Sequence, residues 1–190
     1  MVHAIESYTS LYQKNSLSDT LAREAVTLLT NNIYEVIDNP NNAEARGDML
    51  LGSLYAGMAF ANAPVGACHG LAYPLAAHFH ISHGHSNTLM LPPVLKYTAV
   101  EASHLYAELA PCMFPEINSG TNEEKTQRWI ERIEQMALDF GVNPKLSALG
   151  MTEADLQMIT DGGMAQDRLN RNNFRKVEWQ DAHDMYVSIL

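Results

Sequence analysis

The chain has 190 residues, of which 46% are hydrophobic and 18% charged, so it can bury the core of one ordinary domain and is not disordered by composition. Asp and Glu number 22 against 12 Lys and Arg, which gives a formal net charge of −10. This acidity argues against a nucleic-acid-binding surface and an anionic-membrane-binding surface, because both need a basic patch.

The N-terminal third has the apolar spacing of helices. Within residues 5–12, apolar side chains recur at intervals of three and four residues. A second apolar pattern of helical period follows Ser18, its predicted N-cap, and continues to Ile37. Residues 39–42, three Asn and one Pro, then end that helix. Residues 43–63 are apolar on nearly every face, with interspersed Gly and Ala, which predicts a central buried helix.

The C-terminal half continues the helical pattern. Helices are predicted at 101–113, at 122–140 with Gly141 as the C-cap glycine, from a Thr152–Asp155 capping box to near Gly162-Gly163, and at 178–190. Nothing alternates with period two, so the predicted fold class is all-α, a multi-helix bundle that forms one domain over residues 1–190. The sequence has neither GxGxxG nor GxxxxGK[ST], so no motif is built to hold phosphates.

The cysteines and the lengths of the apolar runs indicate the cellular compartment in which the protein is expected. Cys68 and Cys112 have no CxxC spacing, which favours reduced thiols. The chain does not open with a basic stretch followed by an apolar run, and no window reaches about 18 consecutive apolar residues. We therefore expect a cytoplasmic protein with neither a membrane nor a nucleic-acid partner.

Histidine is concentrated in one segment. Five of the eight histidines fall within 17 residues: His69, His78, His80, His83 and His85. Neutral imidazole is the commonest protein metal ligand, so one interpretation is a metal site and the other is a solvated polar loop. Histidine density alone leaves both interpretations open.

Chain geometry restricts which of these histidines can meet. On one straight helix, His69 and His83 would lie ~21 Å apart, whereas the ligand nitrogens of one ion lie about 2 Å from it. The chain must therefore reverse between them if they share an ion. Pro74 can bend or end the first helix, and Ser82 and Gly84 suit a turn before a new helix. For the other three histidines of the segment we favour a surface position.

Several short segments together form a family pattern. They are Ala45-Arg46, Ala56-Gly57-Met58-Ala59-Phe60, Gly66-Ala67-Cys68-His69-Gly70-Leu71-Ala72 and His83-Gly84 through Ser86-Asn87 to Leu91-Pro92. The region from Ala43 to Tyr97 resembles the signature region of the iron-dependent (group III) alcohol dehydrogenases. The 14-residue spacing from His69 to His83 is similar to that of the last two metal ligands of this family.

Both ends of the chain carry the same resemblance. Residues 2–8 resemble the end of the family's Asp-x-x-x-His metal motif, with His3 as its histidine. Asn172-Asn173-Phe174-Arg175, followed by a last helix, resembles the family's Asn-Pro-Arg element. The resemblance therefore covers essentially the whole chain.

The resemblance implies an activity and a set of site residues. It implies the helical metal and substrate domain of an enzyme that transfers hydride between a primary alcohol or aldehyde and NAD or NADP. In the family a divalent iron polarises the alcohol oxygen. Carried over, the metal ligands are His3, His69 and His83, and Tyr73 is the catalytic and cofactor-binding residue beside the nicotinamide and the substrate. Many members of the family have a histidine in place of Tyr73.

The sequence also departs from the family pattern. The family's ligand aspartate would stand four residues before His3, ahead of Met1, and we expect both it and the nucleotide-binding domain to be absent from this chain. Three neutral histidines resemble an open zinc site more than an iron site, and His3 lies at a terminus, where chains fray. We therefore predict weak binding of Fe2+ or Zn2+ and no NAD(P) reduction by the chain alone. The expected partners are a separate nucleotide-domain chain or a second copy.

Two other functions are open at this stage. One is a non-catalytic binding or structural module that keeps the helical fold without the chemistry. The other is a metal hydrolase with an open three-histidine site, which needs a general base near the metal. Glu6 is the nearest carboxylate candidate, and we expect it to be a solvated charge on a helix surface.

Overall fold

The computed structural model describes residues 1–190. The chain forms nine α-helices and no β-strand: α1 (Val2–Tyr8), α2 (Ser16–Asp38), α3 (Ala43–Asn62), α4 (Ala67–Phe79), α5 (His83–Met113), α6 (Asn122–Asp139), α7 (Leu156–Met164), α8 (Asp167–Asn170) and α9 (Trp179–Ser188). Two short 3₁₀ turns, Leu146–Leu149 and Glu153–Asp155, lie between α6 and α7. The all-α prediction is confirmed. None of the helices has the length and the apolar character needed to cross a bilayer.

The helices pack into two compact units. The first comprises Met1–Val65 and Ser103–Trp129, and the second comprises Gly66–Ala102 and Ile130–Leu190. Helices α5 and α6 each contribute residues to both units.

Helix α1 is held within the first unit by both apolar and polar contacts. Ile5 and Tyr8 are almost completely buried. The Tyr8 hydroxyl donates a hydrogen bond to the Glu108 carboxylate, and the Arg23 guanidinium donates to both groups. Lys14 adds a hydrogen bond to the Tyr8 carbonyl oxygen, 2.8 Å long. The expectation that the first residues fray is therefore wrong for α1.

Helix α2 begins earlier than predicted, and its N-cap is Asn15 rather than Ser18. The Asn15 side chain accepts hydrogen bonds from the backbone N–H groups of Leu17 and Ser18, and the Asn15 N–H donates to Ser18 Oγ at 3.2 Å. This reciprocal pair is a capping box, in which Ser18 is the third residue of the helix. Both residue types cap helices well, so the sequence alone did not separate the two roles.

Helix α3 is not the buried helix that the sequence predicted. Its buried residues are small: Ala45, Gly52, Ala56 and Ala59. They allow a close approach to α2, since a Cβ at Gly52 would lie 2.9 Å from Leu29 Cγ. Its larger apolar side chains are exposed, including Leu50 at 74%, Leu54 at 57% and Met58 at 45%. A helix that is apolar all round gives no signal about which face its neighbours cover.

The helix boundaries from α4 onward agree only partly with the predictions. Helix α4 continues through Pro74 and ends at Phe79. The run predicted at 101–113 is the C-terminal part of the 31-residue helix α5. Helix α7 contains Gly162 and Gly163 and ends one residue later, close to the predicted position.

The predicted end of α6 is confirmed in detail. Gly141 has a φ of +76°, in the left-handed region that favours glycine. Its N–H donates to the Leu138 carbonyl at 2.9 Å, and the Val142 N–H donates to the Ala137 carbonyl at 3.0 Å. This pair of bonds is a Schellman motif, which satisfies the last carbonyls of the helix.

Candidate metal centre

The turn between α4 and α5 brings two of the predicted ligands together within the second unit. His80 ends α4 with a positive φ of 53°, and α5 begins at His83. The chain thus reverses between the two helices, as a shared ion requires. The ring centroids of His69 and His83 lie 5.3 Å apart. His69 is buried, whereas His83 is exposed, so one side of the pair faces the interior and the other faces solvent.

Contacts between α4 and α5 fix this histidine pair. The buried Cys68 thiol, next to His69, donates a weak hydrogen bond to the Asn87 carbonyl oxygen at 3.4 Å. The Asn87 side-chain amide donates to the His83 carbonyl oxygen at 2.9 Å, and Ser86 Oγ donates to the same oxygen at 3.0 Å. The first turn of α5 is therefore held both internally and against α4.

Tyr73 lies on the same face of α4 as His69, because residues four apart share a helix face. Its ring centroid is 6.4 Å from that of His83. Tyr73 is 38% exposed and lines an open groove of about 540 Å³, together with residues that include Gly162 and Gln166. Of the predicted site residues, His69, Tyr73 and His83 thus come together within the second unit.

The backbone of α4 packs closely against the C-terminal part of the unit. A Cβ at Gly70 would lie 2.0 Å from Asn170 Oδ1, and one at Gly163 would lie 2.8 Å from Leu71 Cδ2. The buried Tyr186 hydroxyl donates to the Leu71 carbonyl at 2.6 Å, and burial raises the pKa of this phenol well above its ordinary value. These glycines allow the approach, and the neutral Tyr186 anchors α4 at the turn after His69.

The segment that resembles the Asn-Pro-Arg element packs against the part of α5 that belongs to the same unit. Asn173 Nδ2 donates to Thr98 Oγ1 at 3.0 Å, and Arg175 Nη1 donates to the Tyr97 carbonyl oxygen at 2.9 Å. The Arg175 guanidinium lies 4.0 Å from the centre of the Tyr97 ring. Tyr97 in turn donates to Asp181 at 2.9 Å. Burial and this carboxylate raise the pKa of Tyr97 to about 12.

The remaining candidates have different surroundings. His3 belongs to the first unit, where its ring stacks on Phe60 with centroids 4.6 Å apart. His78 and His80 are exposed and His85 is half-buried. Glu6 is only 6% exposed, so the expectation of a solvated surface charge is wrong.

Sequence reasoning missed the residues that support the histidines. Asn87 stands four residues after His83, a spacing that places the two on one helix face. Cys68 precedes His69 directly. The first spacing was available in the sequence, but the contact between Cys68 and Asn87 depends on how α4 packs against α5.

Comparison with known proteins decides the family. The model of the Fe-containing alcohol dehydrogenase family, C-terminal, matches residues 1–190. The chain belongs to this family. One relative is the long-chain-alcohol dehydrogenase 1 of Geobacillus thermodenitrificans, to which the chain is 34% identical over 169 residues. The match covers 89% of this chain and 42% of that protein. The chain is 30% identical to the 1,3-propanediol dehydrogenase of Klebsiella pneumoniae, over 85% of this chain and 41% of that protein.

Solved structures of iron-containing alcohol dehydrogenases have the same fold. A 1,3-propanediol oxidoreductase aligns with all of this chain and 49% of its own chain, with 28% identity and a TM-score of 0.94. The chain therefore spans less than half the length of the relatives that it matches.

Proposed function

We propose that the chain supplies the metal-binding and substrate half of an iron-type alcohol dehydrogenase. The observation that carries this proposal is the His69–His83 pair, with ring centroids 5.3 Å apart and Tyr73 beside it. Family membership supports the same assignment. The enzyme as a whole would transfer hydride between a small primary alcohol or aldehyde and NAD or NADP.

The donor chemistry of this pair fits a divalent cation. Neutral imidazole nitrogens bind iron and zinc, and two rings at this separation can direct one nitrogen each to a common point. The family's ligand pattern gives His3 as the third donor. When bound, the cation lowers the pKa of an alcohol that it contacts. With neutral imidazole ligands, we expect zinc to bind more tightly than ferrous iron.

The chain's own residues would orient the substrate. The groove beside Tyr73 is open to solvent, and its lining combines the apolar Pro74 with the polar Gln166. The Tyr73 phenol can donate a hydrogen bond to an alcohol or aldehyde oxygen, or accept one from an alcohol hydroxyl. Buried His69 would limit water on the inner side of the pair, while exposed His83 faces the side from which substrate enters.

Binding of the nicotinamide cofactor would need a phosphate-binding motif, and the 190 residues contain none of the known sequence patterns for one. We propose that a separate polypeptide contributes the nucleotide-binding part, and that it covers the exposed apolar face of α3, defined by Leu50, Leu54 and Met58. Contiguous exposed apolar surface is typical of interaction sites. The relatives are more than twice as long as their matched segments, and this unmatched length is enough for a nucleotide-binding domain.

Metal binding by the purified chain tests the metal site. We expect Co2+ or Zn2+, added to untagged chain and titrated by calorimetry, to bind at one site per chain. Both His69→Ala and His83→Ala should weaken binding at least tenfold, because each removes a ligand. His78→Ala and His80→Ala are matched controls, since these histidines are exposed on the same segment, and they should bind as the unchanged chain does.

The outcomes separate the proposed function from its alternative. Equal effects of all four substitutions would indicate adventitious surface binding and contradict the proposed site. No binding by the unchanged chain, with a melting temperature that is insensitive to metal, would favour a non-catalytic helical module that retains the family fold.

A further inference from the structure

We propose that Asn87 is a positioning residue that fixes the His83 ring for metal binding; this inference rests on the metal site proposed above. Asn87 is only 3% exposed, although its side chain is polar. Its side chain contacts His83, and its carbonyl oxygen contacts Cys68, the residue before His69. Buried polar groups are retained where their hydrogen bonds are satisfied, so these contacts determine what the side chain does.

The first contact is with the backbone of His83. The Asn87 amide nitrogen donates to the His83 carbonyl oxygen at 2.9 Å. His83 is the first residue of α5, and the backbone N–H groups in the first turn of a helix have no partner within the helix. This bond ties the backbone of a solvent-exposed ligand to a buried side chain one turn further along.

The second contact is with the ring itself. The same amide nitrogen lies 3.3 Å from Nδ1 and 3.4 Å from Nε2 of His83. These nearly equal distances place the amide nitrogen against the ring and in line with neither nitrogen's lone pair, so it does not compete with a cation for that lone pair. The amide therefore packs on the ring and restricts its rotation. A ligand whose ring is already oriented loses less conformational entropy when it binds a cation.

The third contact links this orientation to His69. The Cys68 thiol donates to the Asn87 carbonyl oxygen at 3.4 Å, and its sulfur lies 3.8 Å from Asn87 Oδ1. Cys68 is completely buried and directly precedes His69. One residue on α5 thus sets the position of His83 relative to α4, which carries the other ligand.

The variant that tests this is Asn87→Leu, which keeps similar volume and removes both amide donors. Its matched control is Thr88→Val, because Thr88 Oγ1 donates to the Gly84 carbonyl oxygen at 2.8 Å in the same first turn. Each variant thus loses one side-chain bond to the start of α5, but only the first loses contact with His83. Asn87→Ala is a second variant in case leucine does not fit the buried site.

Two measurements decide the inference. We expect Asn87→Leu to weaken Co2+ binding about 10- to 100-fold, the usual range for residues that orient a ligand, and to change the visible spectrum of bound Co2+. Thr88→Val should stay within about twofold of the unchanged chain. In the metal-free chain, NMR relaxation of the His83 ring should show greater mobility in Asn87→Leu and Asn87→Ala than in Thr88→Val.

The result that would overturn the inference is unchanged Co2+ affinity and unchanged His83 ring mobility in both Asn87 variants. Equal losses in Asn87→Leu and Thr88→Val would also overturn it, since they would indicate general fraying of α5. If the unchanged chain binds no cobalt, the proposed metal site fails, and ring mobility alone decides whether Asn87 orients His83.

Discussion

Gly70 lies where α4 meets a buried amide, and no other residue type fits there without a rearrangement. An added Cβ would come within 2.0 Å of Asn170 Oδ1, and that side chain is held by a 2.8 Å hydrogen bond from its Nδ2 to the Gly163 carbonyl. Alanine should gain about 1 kcal/mol of helix propensity. Overpacking and the displaced hydrogen bond should cost more, roughly 2–4 kcal/mol together.

We therefore expect Gly70→Ala to lower the free energy of unfolding by about 1–3 kcal/mol, from the balance of those effects. The measurement is urea unfolding followed by circular dichroism. Gly57→Ala on α3 is the matched control, because an added Cβ there meets nothing within 4 Å, and it should be neutral or stabilising. Unfolding curves for Gly70→Ala that match those of Gly57→Ala would contradict the predicted contact with Asn170.

The raised pKa of Tyr97 leads to a prediction for the free energy of unfolding at alkaline pH. Its pKa is raised to about 12 in the folded chain, first by burial and then by Asp181, whereas an unfolded tyrosine ionises near pH 10. Between these values the folded state holds a proton that the unfolded state has lost. The stabilisation from this protonated phenol is therefore present below about pH 10 and disappears as pH rises through about 12.

The measurement is the free energy of unfolding between pH 9 and 12. Tyr97→Phe should make its decline with pH less steep but not abolish it, because burial also raises the pKa of Tyr8 and Tyr186. Tyr12→Phe serves as the control, since Tyr12 is 70% exposed, and it should leave the slope unchanged. A slope for Tyr97→Phe equal to that of the unchanged chain would show that folding does not raise the pKa of Tyr97.

Helix positions were predictable wherever a local pattern decides them. The end of α6 followed from Gly141. The predicted Thr152–Asp155 capping box opens the 3₁₀ turn Glu153–Asp155, which leads directly into α7. The errors arose where packing decides the outcome. Pro74 does not end α4, whose buried backbone is held by neighbours such as Tyr186. Helix α8 has four residues, too few for a periodic signal.

The candidate site shows the same division. The residues between His69 and His83 suited a reversal of the chain, which a shared ion would need, and the family resemblance identified the two histidines as a ligand pair. The support of the pair by Asn87 and Cys68 could not be derived, since that contact joins two helices whose relative position no local pattern encodes. The resemblance supplied His3 and the role of Tyr73, which the residue pattern alone did not.

The exposed apolar face of α3 concerns the protein as an assembly. Leu50, Leu54 and Met58 recur at intervals of four residues, so they form one stripe on the helix. Their exposure, 74%, 57% and 45%, is a cost in water unless another surface covers them. The relatives that the chain matches are more than twice as long as the matched part. The polypeptide that corresponds to the unmatched part is therefore the occupant that we propose.

Sedimentation of the chain with the unmatched N-terminal part of the Geobacillus long-chain-alcohol dehydrogenase 1 tests this occupant. We expect a one-to-one complex that Leu50→Glu weakens at least tenfold, because a buried unpaired carboxylate is costly. Val100→Glu is the matched control: Val100 is also 74% exposed but lies on α5, so the complex should persist. Self-association that Leu50→Glu abolishes would instead make a second copy the occupant, and no association of either kind would leave the α3 face without a partner and contradict the proposal.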